Sequence, residues 1–224
     1  MDTSDCERLA QHLVERSDDS DFLRVCRKVL VMAIMDDATD ALQVVLKHCP
    51  PNTLIDHDLE RAASTGKHLA LTILLPYYTY DLDGALGLNV LAWAAKRGHL
   101  ECLKACRDYI SNKDSWFNAL AQVCMYGHSS CLSFLLTKAD GRELNSRVLN
   151  LALHYKHYDM AQNLLDCGAV DGQAAYEDAQ GDAFCGNLPK LEELMTPIWM
   201  RERLRLRLSE ETRNEENKDV FDRM

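Results

Sequence analysis

The chain has 224 residues, of which 47% are hydrophobic, and its formal net charge of −10 arises from 35 acidic and 25 basic residues. This hydrophobic content excludes a wholly disordered protein and suits one compact domain, two small domains or an elongated array. The negative charge repels nucleic acids and anionic membrane surfaces, so neither is an expected partner.

Two helices are predicted at the start of the chain. In residues 2–19, Ser4 and Glu7 have capping-box spacing and an apolar stripe at helical spacing follows them. A second helix is predicted over residues 21–35, where apolar side chains again share one face. We expect residues 1–27 to form an N-terminal capping region that covers one end of the following structure.

A helix–Gly–helix unit is then repeated along residues 28–196. In its clearest copy, residues 91–104, two apolar stripes at i, i+3, i+4 spacing meet at Gly98, which can end a helix in the left-handed conformation without a Cβ penalty. The same pattern fits six anchor positions, separated by 29 to 32 residues: Asp37, Gly66, Gly98, Gly127, Lys156 and Gly186. Because one hairpin is too small to bury its own apolar face, the sequence predicts six helical hairpins stacked on one another.

The repeated units resemble ankyrin repeats, whose consensus core is AAxxGHxxxVxxLL. The resemblance is clearest in AAKRGHLECLK (94–104) and VCMYGHSSCLSFLL (123–136), and weaker in AASTGKHLALTILL (62–75). It implies an all-α, ankyrin-like α-solenoid with capping helices at both ends. No unit carries the TPLH tetrapeptide, and the period is shorter than the usual value of about 33 residues. We therefore expect tight loops between repeats, at 49–52 and 139–142, with few or no paired strands.

A last helix is predicted to close the array. Thr196 and Pro197 have the residue types of an N-cap and a first helical position, and apolar side chains follow at helical spacing. Residues 197–224 would then form a C-terminal capping helix and a polar tail. The arginines between 201 and 207 are interspersed with leucine and glutamate, which favours a solvated helix face over a localisation signal.

No catalytic motif is present, since the chain lacks Gly-rich phosphate loops, CxxC, HExxH and GxSxG. His99, Cys102 and Cys106 share a helix face, and His154 and His157 are three residues apart, so either set could be half of a metal site. The repeat explains both sets as structural residues. Among nine cysteines, six are predicted to be reduced core thiols: Cys26, Cys102, Cys106, Cys124, Cys131 and Cys167. We expect no enzymatic activity, no metal and no cofactor.

The residues that the repeat pattern leaves free are candidates for binding. The resemblance implies that the two residues before each anchor lie on the concave face of the array, where partners bind. In the central units these residues are rich in Tyr, Met and Arg, which are enriched at protein interfaces. The candidate partner-binding residues, to which the nearby tryptophan is added, are Trp93, Lys96, Arg97, Met125, Tyr126, His154, Tyr155 and Phe184.

The expected function is therefore a non-enzymatic scaffold or adaptor that binds a protein partner on its concave face. By analogy with divergent ankyrin-like proteins, a pathogen or viral protein that contacts its host is one setting. The alternatives are a metal-binding or enzymatic protein that uses a His/Cys cluster, and a structural homo-oligomer subunit joined through the helix around Trp199. We expect a monomer.

Sequence features also bear on where the protein resides. The longest apolar runs, 29–35 and 69–75, are far shorter than the roughly 18 residues that span a bilayer. The first residues, MDTSDCER, are acidic and differ from the basic start of a signal peptide. We expect a cytoplasmic protein, with the nucleus as the alternative compartment.

Overall fold

The computed structural model describes residues 8, 12, 22–50, 53–78, 82–138, 146–168, 170–181 and 185–200. They belong to two compact units, which comprise residues 1–144 and 145–224. Most of the predicted helix in residues 2–19, the loop at 139–142 and the tail beyond residue 200 lie outside the described residues.

The described part of the first unit contains eight α-helices, arranged as four hairpins. They are α1 (Phe22–Met35), α2 (Thr39–His48), α3 (His57–Thr65), α4 (His68–Leu74), α5 (Ala85–Arg97), α6 (Leu100–Ala105), α7 (Lys113–Tyr126) and α8 (Ser129–Lys138). Short 3₁₀ turns extend α4 over Leu75–Tyr77 and α6 over Cys106–Asp108. The predicted second helix at 21–35 is confirmed as α1.

The second unit continues the same pattern. Its helices are α9 (Ser146–His154), α10 (Tyr158–Asp166), α11 (Gly172–Gly181) and α12, which covers residues 188–200 after a 3₁₀ turn at Cys185–Asn187. Strands do not occur among the described residues of either unit. The fold is therefore an all-α, ankyrin-like helical repeat, as the sequence predicts.

Five of the six predicted anchors adopt the left-handed conformation that ends the first helix of each hairpin. The φ angles are 53° at Asp37, 76° at Gly66, 73° at Gly98, 77° at Gly127 and 64° at Lys156. In each case the next residue's N–H donates to the carbonyl of the residue four before the anchor, as His99 N does to Ala94 O at 2.9 Å. This is the Schellman arrangement of a helix C-terminus. Asp37 and Lys156 adopt it despite their side chains, so the spacing located these turns correctly.

The sixth anchor and the predicted start of the last helix are wrong. Gly186 lies in the 3₁₀ turn and does not have a positive φ. The helix α12 begins at residue 188 and runs through Thr196 and Pro197. The Thr196 hydroxyl donates to Glu192 O at 2.6 Å, a bond within the helix, so this threonine is not an N-cap.

The core of the first unit is a layer of small residues between the first helices of neighbouring hairpins. Helix α5 packs against α3 on one side and α7 on the other. At the three glycine anchors of this unit, the residues four and three positions before the anchor are completely buried: Ala62, Ala63, Ala94, Ala95, Val123 and Cys124. Small side chains let these helices approach closely, while completely buried leucines such as Leu91 and Leu120 each contribute roughly 1.5–3 kcal/mol of transfer free energy.

Loops between hairpins are joined by a carboxylate. Asp83 Oδ1 accepts hydrogen bonds from Ser111 N (2.6 Å) and Asn112 N (3.0 Å), and Asp83 Oδ2 accepts one from Ser111 Oγ (2.8 Å). These bonds favour the ionised form and hold the pKa of Asp83 below its ordinary value. Successive loops are thus connected without strand pairing.

A buried ion pair holds α1 to α3. Arg27 Nη1 donates to Asp58 Oδ2 and to Thr53 O, both at 2.6 Å, and Ile55 N donates to the same carboxylate oxygen at 3.0 Å. The Asp58 side chain has no exposed surface, whereas that of Arg27 is 24% exposed. Arg27 is therefore the cation that pairs with the Asp58 carboxylate in the core.

Candidate functional site

Five of the predicted binding residues lie together at the ends of α5 and α7. We call Trp93, Lys96, Arg97, Met125 and Tyr126 the basic–aromatic strip. Trp93 is 37% exposed and Tyr126 44% exposed, and the Lys96 Nζ atom lies 5.2 Å from the centroid of each of their rings. Such cation–π contacts, at an exposed site, are worth about 0.5–1 kcal/mol each. The two aromatic rings and the ammonium group therefore form one cluster that spans two repeats.

Histidines of the next repeat fix the ends of two neighbouring helices: α5, which carries Trp93, Lys96 and Arg97, and α3. The His128 ring forms a hydrogen bond from Nε2 to Lys96 O (2.9 Å), and the His99 ring forms one to Ser64 O (3.2 Å). Each carbonyl belongs to the last turn of a helix, where backbone acceptors lack helical partners. The histidines predicted to be structural thus satisfy C-terminal carbonyls of α3 and α5.

The anchor glycines make room for these rings. A Cβ built on Gly98 would lie 2.6 Å from His128 Nδ1, and one built on Gly66 would lie 2.8 Å from His99 Nδ1. Both distances are shorter than any normal contact, so only glycine fits. The first anchor, Asp37, is not glycine, and the following repeat has Lys67 at the position of the histidine. The Asp37 carboxylate instead accepts a hydrogen bond from Ala70 N at 2.8 Å.

Arg61 is a further member of this surface that the sequence prediction missed. It precedes its anchor by five residues, as Trp93 does in the next repeat, and this shared repeat position was the signal that could have identified it. Both Arg61 and Arg97 are exposed, and neither guanidinium group has a carboxylate partner among the described residues. The nearby carboxylate of Glu60 is already bonded, to His57 Nδ1 and to Asn89 Nδ2, each at 2.9 Å.

The second unit, taken by itself, also exposes predicted binding residues. The rings of His154 and Tyr155 meet edge to face, with centroids 5.2 Å apart, and Tyr155 is 45% exposed. Next to them in sequence, Tyr158 lies under Lys190, whose Nζ is 4.9 Å from the ring centroid. Phe184 lies outside the described residues.

Most of the described cysteines are core residues. Cys26, Cys102, Cys106, Cys124 and Cys131 are completely buried, as predicted. Burial raises the pKa of Cys102 and of Cys124 to about 12, so neither thiol is ionised at neutral pH. Cys167 is exposed, and its predicted core position is wrong. It follows the last turn of α10, where the helical face that buries Leu164 and Leu165 has ended.

His99 and the two cysteines that share its helix face take part in the packing of the repeats. His99 faces the Ser64 carbonyl and the Gly66 backbone, while Cys102 and Cys106 are closed off from solvent. No group of three or more His, Cys, Asp or Glu side chains with metal-binding geometry occurs among the described residues. Nor does any described helix combine the length and apolar character required to cross a bilayer.

Comparison with known families identifies the repeats. The family model described as ankyrin repeats (3 copies) matches residues 59–147 and 91–174, which together are more than half of the chain. The chain belongs to the ankyrin-repeat family. Ankyrin repeats generally mediate protein–protein interaction, and ankyrin-repeat proteins are typically non-enzymatic scaffolds. Searches of curated proteins and of solved structures give no significant match.

Proposed function

We propose that this ankyrin-repeat protein is a non-enzymatic scaffold that binds a protein partner through the basic–aromatic strip. Arg61 extends the strip on the first unit, and His154 and Tyr155 are the corresponding contact residues on the second. The observation that supports this proposal most is the cluster of Trp93, Lys96 and Tyr126, in which two exposed rings share one ammonium group.

Such a cluster suits binding for energetic reasons. Trp, Tyr and Arg are the residues that most often dominate interface energies, because they bring large contact area together with a polar or charged group. The end of α5 beneath Trp93 and Lys96 is held by the His128 hydrogen bond, and the end of the neighbouring α3 by that of His99, so little backbone ordering would be required there when a partner binds. The surface is therefore already organised in the unbound chain.

The proposal includes several finer assignments that follow from family analogy and composition. The protein would act as a monomer in the cytoplasm, in a regulatory, adaptor or host-interaction role. We place the repeat array at residues 28–196. The net charge of −10 disfavours nucleic acid as the main ligand.

The first test removes two exposed tyrosines at equivalent repeat positions. We expect Tyr126→Ala with Tyr155→Ala to reduce partner capture by at least about tenfold, because truncation of an interface tyrosine commonly costs more than 1 kcal/mol. Thermal unfolding should change little, since the two side chains are 44% and 45% exposed. The measurement is quantitative affinity purification from the native cell, with melting followed by circular dichroism.

Tyr109→Ala provides the matched control. Tyr109 is 36% exposed but follows the second helix of its hairpin, outside the strip. Its replacement should leave partner capture unchanged. Equal capture by the wild type and the double variant would show that these tyrosines are not in the interface.

A further inference from the structure

We propose that the segment recognised by the basic–aromatic strip is an acidic peptide that carries at least one apolar side chain. This inference rests on the proposed function, since it names the chemistry of the partner that binds the same surface. It is drawn from the charges and rings at the ends of α3, α5 and α7.

The local charge of this surface is opposite to that of the whole chain. The protein has a formal net charge of −10, yet the strip and its neighbour contain three cations, Arg61, Lys96 and Arg97. The two guanidinium groups have no carboxylate partner among the described residues. An exposed arginine that is not paired within its own protein can bind a partner carboxylate with two parallel hydrogen bonds.

Few described carboxylates oppose the positive charge of the basic–aromatic strip and Arg61. Glu60 precedes Arg61 in α3, but its oxygens are bonded to Asn89 and His57, so it is one negative charge that is not paired with either arginine. Asp36 is exposed before the first anchor, one repeat beyond Arg61. The end of α5, which contributes Lys96 and Arg97 in its last turn, has no acidic residue in that turn. An approaching acidic side chain would therefore meet a net positive surface at this point.

The two aromatic rings of the basic–aromatic strip are the reason why the peptide is expected to carry an apolar side chain. Lys96 Nζ lies 5.2 Å from both the Trp93 and the Tyr126 ring centroids, so the charge is held beside two exposed apolar surfaces. A pure polyanion would leave these rings in water, whereas a peptide with alternating acidic and apolar side chains would cover both groups. The negative charge of the whole chain also repels a long polyanion more than a short peptide with few charges.

The first experiment identifies the peptides that the full chain binds. A random library of twelve-residue displayed peptides is enriched on the immobilised protein at physiological salt. We expect the selected peptides to be enriched in Asp and Glu and to contain at least one Leu, Phe, Tyr or Trp. Enrichment of basic or neutral sequences, or of none, would contradict the proposal.

The second experiment tests the charges directly with one selected acidic peptide. Binding is measured by fluorescence anisotropy for wild type, for Arg61→Glu with Arg97→Glu, and for Tyr126→Ala. Reversal of two charges replaces attraction by repulsion, and we expect it to weaken binding by about tenfold or more. The control is Arg107→Glu, because Arg107 is exposed on the second-helix layer and pairs with Asp108. This control should remain within about twofold of wild type.

The variants separate the two proposals. If Tyr126→Ala weakens binding but the charge reversal does not, the strip binds a partner of another chemistry and the acidic assignment is wrong. If neither change matters, the proposed function fails as well. A single-stranded dT12 oligonucleotide serves as a competitor, and displacement of the peptide at equal salt by this probe would assign the patch to nucleic acid instead.

Discussion

At the scale of single residues, the anchor glycines have two separate reasons to be glycine. One is the backbone, since a φ of 73° at Gly98 is costly for a residue with a Cβ. The other is space, since the His128 ring occupies the position that a Cβ would take. Sequence patterns reveal the first reason, because a helix end requires it, but the second depends on a ring from the next repeat.

These two contributions can be measured separately. We expect Gly98→Ala to lower the free energy of unfolding by roughly 2–4 kcal/mol, as the sum of left-handed strain and overpacking against His128. In a His128→Ala background the same substitution should cost only about 1–2 kcal/mol, because the ring is gone. Urea unfolding of the four variants gives the difference between the two values.

Gly168 supplies the reference for backbone strain alone. It has a φ of 64° and nothing within 4 Å of an added Cβ. Gly168→Ala should therefore destabilise its own unit by about 1–2 kcal/mol. Equal costs for Gly98→Ala in the two backgrounds would show that the histidine ring yields without penalty.

The repeat spacing predicted most of the turns within hairpins correctly, including two that lack glycine. The spacing identified Asp37 and Lys156 as anchors although neither is glycine, and both have positive φ. The spacing failed at Gly186, which lies in a 3₁₀ turn. The residue types of Thr196 and Pro197 wrongly indicated a helix start, because the helix from residue 188 continues through both and the Thr196 hydroxyl bonds to Glu192 O within that helix.

At the scale of helices, two ion pairs with similar geometry should differ in importance. Arg27 and Asp58 join α1 to α3 with a carboxylate that has no exposed surface. Lys104 and Glu101 lie on one turn of α6 at 2.8 Å, with side chains 48% and 58% exposed. The two pairs should differ in their contribution to stability because Asp58 is buried, whereas solvent screens the pair on α6. The repeat pattern did not reveal the burial of Asp58.

We expect Arg27→Met to lower the free energy of unfolding by about 3–5 kcal/mol, since it leaves the Asp58 charge buried without a cation. Lys104→Met should cost less than about 1 kcal/mol, because solvent screens its pair. Chemical denaturation at neutral pH compares the two. Adding Asp58→Asn to Arg27→Met should recover part of the loss, and no recovery would mean that the uncompensated charge is not its cause.

At the scale of the whole molecule, the cysteines report how the first unit unfolds. Five completely buried thiols are distributed from Cys26 to Cys131, while Cys167 is exposed in the second unit. Nearest-neighbour packing connects each repeat to the next, so a loss of one hairpin should expose its neighbours.

Pulse alkylation across a urea series tests this cooperativity. Cys167 should react with iodoacetamide in the absence of urea, whereas the five buried thiols should become reactive together at the midpoint of the first unit's unfolding. Burial, which raises the pKa of Cys102 and Cys124 to about 12, makes their reaction in the folded state slower still. Peptide mass spectrometry identifies each site. Labelling of Cys124 at a lower urea concentration than Cys26 would instead indicate that hairpins unfold one after another.

The matched glycines and histidines also constrain how such a gene can rearrange. A Cβ at Gly66 would meet the ring of His99, and one at Gly98 would meet the ring of His128. The repeat that follows Asp37 has Lys67 in place of this histidine. A repeat with glycine at its anchor can therefore be followed by any copy with histidine directly after its anchor, so duplication of the unit around Gly98 preserves every glycine–histidine contact. Exchange of the hairpins around Asp37 and Gly98 would place an aspartate Cβ against a histidine ring. The order of the repeats therefore affects stability. Recombination between repeats with different anchors would give a well-packed contact at some junctions and a steric clash at others.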